Sequence, residues 1–289
     1  MRYNSWSGTP FGEYSSDNEY DGSDLEEEEE LEKEQVKTKK TKRKYPPVQD
    51  GKGLKIKFPN FISFIGQSLS GKSYMLQYIL SAAYSQGVFE AGICFCPTAF
   101  TGNYDYLPKE AVFAKYDPNI LRQYMDKIIK IKESKNNKEF GNFVIFDDII
   151  GSLPHSDETL DEFLTTYRHY NSTVFIASQY VHKIPVLTRS QSNLVYYFAQ
   201  EQKRANDAMF ESWGDIFETA NDFKHYMNEI CHVKGDKYNC AVFEQNKDVD
   251  HGETRWSRVK APPKPNPEYK IVFKKPKMQL KTQQKRLMD

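Results

Sequence analysis

The sequence contains few cysteines and no long apolar run. Only four cysteines occur among its 289 residues, too few in a chain of this length to form the disulfide framework of a small secreted domain. This scarcity favours a reducing intracellular compartment. No stretch of about 18 or more apolar residues is present, so we expect no transmembrane helix. The N-terminus also lacks an apolar stretch behind a basic start, so we expect no secretory signal.

The chain also has no net charge, because 40 basic residues balance 40 acidic ones. The charges are nevertheless unevenly distributed. Residues 1–34 contain twelve acidic and two basic side chains, a net of −10, whereas residues 255–289 contain eleven basic and two acidic ones, a net of +9. Together with the low aliphatic content of both ends, this asymmetry predicts three regions. They are an acidic-then-basic disordered tail over 1–48, a folded domain over 49–255 and a basic disordered tail over 256–289.

The basic part of the N-terminal tail is a run of Lys, Arg and Thr at residues 37–44. Its composition is that of a nuclear localisation signal or a nucleic-acid-binding patch. A solvated run of charges with no partner is an equally good interpretation, and the sequence leaves these alternatives open.

A glycine-rich motif is the most informative feature of the chain. It follows the apolar run 61–65 and has the full spacing of a P-loop. Glycines allow a tight turn that brings backbone N–H groups onto phosphate oxygens, and the amino end of the following helix favours an anion. This predicts binding of ATP with Mg²⁺, in which Lys72 reaches the β- and γ-phosphates and Ser73 ligates the metal. The predicted nucleotide-binding residues are Gly66, Gln67, Ser68, Leu69, Ser70, Gly71, Lys72 and Ser73.

Buried apolar runs alternate with amphipathic stretches along the rest of the chain. Strands are predicted over 61–65, 91–96, 143–146, 173–178, 193–199 and 238–244. Helices are predicted over 72–85, from Asp117–Pro118, from Ser156, over 203–212 and over 222–231. The alternation predicts an α/β fold, a P-loop NTPase with a mostly parallel central sheet flanked by helices. In such sheets, ligands bind at the carboxyl ends of the strands.

Two acidic residues directly follow the predicted strand 143–146. Asp147 is predicted to hold the metal or its water shell, and Asp148 to orient or activate the attacking water. An ordinary turn at the end of a strand is the alternative. Gln179 ends a strand that we place next to that of Asp147, where its carboxamide would contact the γ-phosphate or the water. For Gln179 the alternative is a satisfied polar residue in a turn.

Charge that develops in a phosphoryl-transfer transition state also favours a guanidinium, often from a neighbouring subunit. Arg168 is the first candidate for this arginine finger and Arg189 the second. Each, taken alone, has the competing interpretation of an ordinary surface arginine.

The four cysteines show no recognisable zinc-binding spacing with the nearby histidines. Cys94 and Cys96 lie two residues apart on a predicted strand and therefore share a face. We interpret all four as buried structural thiols.

The order of these motifs resembles a known family. The P-loop is followed by further landmarks in this order: Cys96-Pro97-Thr98 with Tyr104 after it, Phe146-Asp147-Asp148, Arg168-His169-Tyr170-Asn171-Ser172, and Ser178-Gln179. Over roughly residues 58–200 this arrangement resembles the poxvirus-type DNA-packaging ATPases of large double-stranded DNA viruses and their smaller relatives. That family belongs to the FtsK–HerA class of P-loop motors.

The resemblance implies an ATPase that forms a homo-oligomeric ring and drives double-stranded DNA into a preformed capsid. Its partners would be the DNA and a capsid or portal-like vertex protein, inside an infected cell (in a cytoplasmic virus factory or the nucleus) or in the virion. By position, Asp147 would bind the metal, Asp148 the water, and Gln179 would be the sensor. The FtsK–HerA class usually has Glu at the position of Asp148, although Asp-Asp is common in the poxvirus-type branch.

Two other functions fit the same motifs. A replication helicase or partition-type ATPase would share the fold, and a preference for single strands would distinguish a helicase. A non-motor nucleotide switch would bind nucleotide and hydrolyse it very slowly, and DNA-stimulated turnover would contradict it. For a DNA motor, the basic residues of 255–289 would add phosphate contacts that weaken with salt.

Overall fold

The structure of the protein is a computed structural model that describes residues 46–51, 54–134, 140–149, 157–234, 238–250, 253–260 and 270–273. These residues all fall in one structural unit, Lys44–Asp289. The strands are β1 Gln49–Asp50, β2 Phe61–Ile65, β3 Ala91–Phe95, β4 Val112–Phe113, β5 Asn142–Asp147, β6 Ser172–Ser178, β7 Leu194–Tyr197, β8 Asn239–Glu244 and β9 Trp256–Lys260. The helices are α1 Lys72–Ser85, α2 Pro118–Ser134, α3 Glu158–Thr166, α4 Val186–Ser190, α5 Lys203–Trp213 and α6 Ala220–Cys231.

The nine strands in the described residues form one sheet in the order β1-β9-β8-β7-β2-β6-β5-β3-β4. Strands β7, β2, β6, β5, β3 and β4 run parallel to their neighbours within this group, and β8 is antiparallel to both β7 and β9. The predicted α/β architecture with a mostly parallel sheet is confirmed. The P-loop strand β2 lies between β7 and β6, so β6 separates it from β5.

Helices cover both faces of the sheet, which explains why the sequences of its central strands are continuous apolar runs. In β2, Phe61 and Ile65 pack on one face in a cluster with α2, α3, α5 and α6. Ile62 and Phe64 point to the opposite face and pack in a second cluster with α1. The helix predicted after the P-loop therefore covers a different face from the later helices, as expected for a sheet between two helical layers.

The helix starts follow local capping chemistry. The carboxylate of Asp117 accepts a hydrogen bond from the backbone N–H of Asn119 (2.9 Å) just before α2, as predicted for an N-cap. The start predicted at residue 156 lies outside the described residues. In the described part α3 begins at Glu158, and Asp157 caps it by accepting a bond from the N–H of Leu160 (2.9 Å). No helix in the described ranges is long and apolar enough to cross a bilayer.

The sheet continues beyond the boundary predicted at residue 255. Strand β9 pairs with β8 and β1, and Trp256 is fully buried, with its indole Nε1 donating to the carbonyl of Trp213 (3.0 Å). Residue Ile271 is buried as well. The prediction of a disordered tail from residue 256 is therefore wrong for β9 and for residues 270–273. The prediction failed because it counted charges over the 35 residues 255–289 as one region. The five residues of β9 mix apolar and basic side chains, so this count does not reveal a strand.

The predicted N-terminal tail 1–48 is also too long at its end, because Val48 is partly buried and packs against the core. The remaining parts of the two predicted tails, residues 1–45, 261–269 and 274–289, lie outside the described residues. Besides β9, the strands and α-helices of the described residues that the sequence did not predict are short: β1, β4 and α4 contain two, two and five residues. Such lengths are too short for a hydrophobic period to be read.

Candidate active site

The P-loop connects β2 to α1 and has the backbone that its glycines predict. Gly71 has a φ of +105°, in the left-handed region that glycine adopts without strain. It caps α1, because its carbonyl accepts the first helical bond, from the N–H of Met75 (3.0 Å). A Cβ on Gly66 would lie 2.7 Å from the Cβ of Phe198. Both glycines are therefore required by the structure, one for conformation and the other for a close approach.

Lys72 is held across the loop rather than pointing into solvent. Its ammonium donates to the carbonyls of Gly66 (2.8 Å) and Gln67 (2.7 Å), and only 7% of the residue is exposed. Burial lowers the pKa of Lys72, while the nearby carboxylates of Asp148 and Asp147 oppose that shift. The cation is thus pre-positioned between the P-loop and the two acidic residues.

Asp147 ends β5 and is almost completely buried. Its Oδ2 accepts hydrogen bonds from the hydroxyl of Tyr104 (2.9 Å) and from the thiol of Cys96 (3.4 Å). Burial raises the pKa of Asp147, and the bond from Tyr104 is the main opposing effect. A carboxylate with donors of this kind is held in one orientation at the edge of the sheet.

Asp148 and Gln179 are in direct contact. Asp147 pairs with Ala177 in the β5–β6 register, so Asp148 and Gln179 leave their strands next to each other. Asp148 has a φ of +52°, its N–H donates to the carbonyl of Ala177 (2.9 Å), and its carboxylate turns towards Gln179. There it accepts bonds from the backbone N–H (3.2 Å) and the carboxamide Nε2 (2.9 Å) of Gln179. The two predicted catalytic groups therefore form one unit.

A cavity of about 660 Å³ connects these elements. The structure brings most of the predicted site residues to its wall: Ser68, Leu69, Ser70, Gly71, Lys72, Ser73, Asp147, Asp148 and Gln179. Gly66 and Gln67 contribute through the carbonyls that hold Lys72. The volume is that of a typical small-ligand site.

The cavity wall also contains residues that sequence reasoning did not assign to the site. They include Tyr74, Gln77, Thr98, Thr101, Asn103, Asp105 and Lys270. Thr98 belongs to the motif order that carries the family resemblance, as does Tyr104, which bonds to Asp147 behind the cavity wall, but the resemblance implies no role for either residue. Lys270 carried no sequence signal, because it lies 198 residues after Lys72 in a region predicted as a tail.

The oxygen donors of this cavity fit magnesium. The Ser73 hydroxyl and the Asp147 carboxylate both lie on its wall, and Mg²⁺ prefers such hard oxygen ligands. No group of three His, Cys, Asp or Glu side chains in the described ranges could hold a metal alone. Ser73 and Asp147 match the donor set expected for Mg²⁺, because this ion typically uses one or two protein ligands together with waters and substrate phosphates.

The two candidate arginines lie away from this cavity. Arg168 precedes β6, and its guanidinium donates to the hydroxyl of Tyr167 (3.0 Å) and to Oδ1 of Asn193 (3.3 Å). Gln179 follows the opposite end of the same strand, and seven residues of strand span about 20 Å. Arg189 donates to the hydroxyl of Ser212 (2.6 Å). Neither arginine lines the cavity of its own chain, so a catalytic role for either remains a prediction that requires a second copy.

The four cysteines are free and buried, as predicted. Cys96 nevertheless has a role beyond packing, because its thiol contacts Asp147 and its pKa is raised to about 11, mainly by burial. It is therefore a neutral donor at ordinary pH.

The comparison with known families agrees with this geometry. A family model described as Poxvirus A32 protein matches residues 54–250, a range that includes the P-loop, both aspartates and Gln179. This chain belongs to the Poxvirus A32 protein family. The family match covers β2 to β8 and so includes the six neighbouring parallel strands β7, β2, β6, β5, β3 and β4.

One curated relative of this Poxvirus A32 family member has a low sequence identity. The uncharacterized protein 015R of Frog virus 3 (isolate Goorha) is 22% identical over 205 residues, which are 68% of this chain and 60% of that protein. The chain therefore spans about three-fifths of the length of this relative.

Two solved structures share the fold of the Poxvirus A32 family chain. The genome packaging NTPase B204 from Sulfolobus turreted icosahedral virus 2, in complex with sulfate, has a TM-score of 0.51 and 15% identity, with 72% of this chain and 100% of that chain covered. The cytoplasmic domain of the Thermomonospora curvata type VII secretion ATPase EccC has a TM-score of 0.50 and 14% identity, with 75% of this chain and 28% of that chain covered. At such identities the likeness establishes the fold alone.

Proposed function

We propose that this protein is an ATPase that hydrolyses ATP at the P-loop cavity and couples hydrolysis to the movement of double-stranded DNA into a viral capsid. The observation that carries the proposal is the convergence of Lys72, Asp147 and the Asp148–Gln179 pair on one cavity. Membership of the Poxvirus A32 protein family and the fold shared with a viral genome packaging NTPase support the packaging role.

The proposed phosphate site is the loop from Gly66 to Ser73. Lys72 and the backbone N–H groups at the amino end of α1 hold the phosphates, because both present positive charge to an anion. Ser73 and Asp147 hold Mg²⁺. A metal bound there would neutralise charge on the phosphates and on the developing transition state.

The proposed hydrolytic unit is Asp148 with Gln179. An ionised carboxylate offers about four lone-pair sites, and two of those of Asp148 accept bonds from Gln179. The remaining ones accept a proton of the attacking water, which Asp148 orients for in-line attack. The left-handed backbone at this position (φ +52°) gives a physical reason for Asp here, because Asp adopts that conformation more readily than most non-glycine residues.

The proposed motor is a ring of identical chains around double-stranded DNA, docked on a capsid or portal-like vertex protein in an infected cell or in the virion. Arg168, or alternatively Arg189, acts as the arginine finger in the site of a neighbouring copy. This assignment is consistent with the distance of both arginines from the cavity of their own chain.

The test is steady-state ATPase activity with and without linear double-stranded DNA at two salt concentrations. Duplex DNA is expected to stimulate turnover, and higher salt to remove the stimulation. Asp148→Asn is expected to lower kcat by about 100-fold or more while ATP still binds, and Lys72→Ala to abolish binding or turnover. Asp126→Asn, an exposed position on α2, is the matched control and is expected to behave like the wild type.

Three outcomes would change the proposal. Wild-type turnover in Asp148→Asn would remove the assigned role of that residue. Tight nucleotide binding without DNA-stimulated turnover would favour the nucleotide switch. Stronger stimulation by single strands than by duplex would favour a helicase.

A further inference from the structure

Among the described residues, the donors that hold Asp147 all bond to one of its two oxygens. Both the hydroxyl of Tyr104 and the thiol of Cys96 donate to Oδ2, and Oδ1 accepts no hydrogen bond from the residues that the structure describes. The tyrosine bond, at 2.9 Å, is the shorter of the two. A thiol is a weak donor, so the hydroxyl of Tyr104 is the group that sets the rotation of the carboxylate.

Tyr104 lies in the connection between β3 and β4, and its carbonyl accepts a turn hydrogen bond from the N–H of Leu107 (2.9 Å). Tyr104 is almost fully buried, at 3% exposure. The segment 270–273 is hydrogen-bonded to this connection at two neighbouring residues. The N–H of Ile271 donates to the carbonyl of Tyr106 (2.7 Å), and the ammonium of Lys270 donates to the carbonyl of Asp105 (2.8 Å).

The same segment is anchored on its other side to the helix that follows the P-loop. The hydroxyl of Tyr84 on α1 donates to the carbonyl of Val272 (2.7 Å). The side chain of Ile271 is buried in the cluster that packs α1 on the sheet, and the ring of Phe273 contacts that of Phe143. Residues 270–273 therefore connect the loop of Tyr104 to α1 and to the sheet.

We propose that Tyr104 is a positioning residue that turns Oδ1 of Asp147 towards a Mg²⁺–nucleotide, and that the segment 270–273 holds the loop of Tyr104 in place. The inference rests on the proposed function in one respect, the assignment of Asp147 to the metal site. It extends that function by placing a C-terminal segment among the structures that support metal binding.

The physical basis is the pre-organisation of a ligand by its hydrogen-bond partner. A carboxylate that is fixed in the orientation for binding loses less rotational freedom when the cation arrives. Loss of such an outer partner typically lowers metal affinity by about 10- to 100-fold. Tyr104 leaves Oδ1 available, because both donors are confined to Oδ2.

The experiment measures binding of a fluorescent ATP analogue to the full chain as a function of Mg²⁺ concentration. Tyr104→Phe is expected to raise the Mg²⁺ concentration for half-maximal binding by about 10- to 100-fold, with binding in the presence of EDTA unchanged. Tyr78→Phe is the matched control, because Tyr78 on α1 is about half exposed and does not line the cavity. It is expected to leave the Mg²⁺ dependence unchanged. The thermal midpoint of each variant establishes that it is folded.

The role of the segment is tested with Ile271→Pro, which removes the N–H that bonds to Tyr106. It is expected to shift the Mg²⁺ dependence in the same direction as Tyr104→Phe. The double variant is expected to show no further shift, because both changes act through one contact. Val272→Ala, at a side chain that is mostly exposed, is the control.

The outcomes separate this inference from the proposed function. If wild-type binding depends on Mg²⁺ but Tyr104→Phe leaves that dependence unchanged, the role of Tyr104 is wrong. If Tyr104→Phe shifts it and folded Ile271→Pro does not, the role of the segment is wrong. If the wild type binds nucleotide with no dependence on Mg²⁺, the metal site of the proposed function fails first.

Discussion

At the scale of single residues, Asp147 and Lys72 are two oppositely charged groups that are both buried at one edge of the sheet. Burial raises the pKa of Asp147 and lowers that of Lys72, because the charged form of each loses hydration. Their mutual attraction opposes both shifts without cancelling them. The site therefore keeps its charges at the expense of folding stability, a pattern typical of functional positions.

The raised pKa of Asp147 leads to a prediction on stability and pH. Above the folded pKa the native state holds an ionised carboxylate that is less stable than in the unfolded chain. This loss of folding stability disappears as the pH falls below the pKa of the carboxyl in the unfolded chain, about 3.9, because both states are then protonated. Without metal or nucleotide, Asp147→Asn is therefore expected to be more stable than wild type at neutral pH, with the difference shrinking in acid.

The measurement is the free energy of unfolding from urea titrations of both proteins at a series of pH values. A gain of about 1 kcal/mol would correspond to a rise of about 2–4 °C in Tm. Asp126→Asn, at an exposed position, is expected to show no such difference. A variant Asp147→Asn that is less stable than wild type at neutral pH would contradict the assigned cost of burial.

At the scale of elements, the placement of β6 between β2 and β5 assembles the site. Its parallel pairing with both neighbours brings Ser178 beside Ile65 and Ala177 beside Asp147. The P-loop, Asp148 and Gln179 then leave the sheet at the same edge. A shift of one residue in the β5–β6 register would turn the alternating side chains to the other face and separate Asp148 from Gln179.

Strand β9 was predicted to belong to a disordered tail, and its contribution to the folded domain can be tested directly. Trp256 is fully buried and its ring contacts those of Phe243 (5.2 Å between centroids) and Phe223 (5.8 Å). Trp256→Ala is expected to lower the free energy of unfolding by about 3–5 kcal/mol. Phe100→Ala, at a ring that is 86% exposed, is expected to change it by no more than about 0.5 kcal/mol. Equal effects of the two changes in urea denaturation would mean that β9 contributes little to the core.

At the scale of the whole molecule, the two edges of the parallel sheet carry different groups. The carboxyl edge carries the cavity with Lys72, Asp148 and Gln179. Arg168 and Arg189 precede β6 and β7 and therefore lie towards the amino edge. A ring in which the arginine of one copy enters the cavity of the next is the arrangement that would unite them.

This arrangement predicts complementation between two inactive variants. Arg168→Ala and Lys72→Ala are each expected to have little ATPase activity. In an equal mixture, the cavity of an Arg168→Ala subunit can receive the intact arginine of a Lys72→Ala neighbour, so about one-quarter of the interfaces in a cyclic assembly become complete. The measurement is the ATPase rate of the mixture relative to each variant alone.

The same mixture made with Arg189→Ala distinguishes the two candidates. If only the Arg189 mixture regains activity, Arg189 is the finger. If neither mixture regains activity although both variants are inactive and assembled with Lys72→Ala, the finger does not act between subunits.

The local features of the site were largely predictable, because they depend on neighbours in sequence. The spacing from Gly66 to Ser73 specifies a loop and a helix start. The apolar strand that ends in two aspartates specifies where carboxylates leave the sheet. The adjacency of β5 and β6 was also expected, and it is confirmed in the register between Asp147 and Ala177. The roles of Asp147, Asp148 and Gln179 in catalysis remain predictions.

By itself, the sequence determined the α/β class, the P-loop and the set of polar residues at the carboxyl ends of the strands. Only the tertiary structure decided which donors surround Asp147, where the C-terminal residues pack, and that both arginines lie outside the cavity of their own chain. The physical reason is the separation along the chain. Hydrophobic period and motif spacing report contacts within about one element, whereas Tyr104 meets Asp147 across 43 residues and Lys270 meets Asp105 across 165. Such contacts are set by how the whole sheet packs.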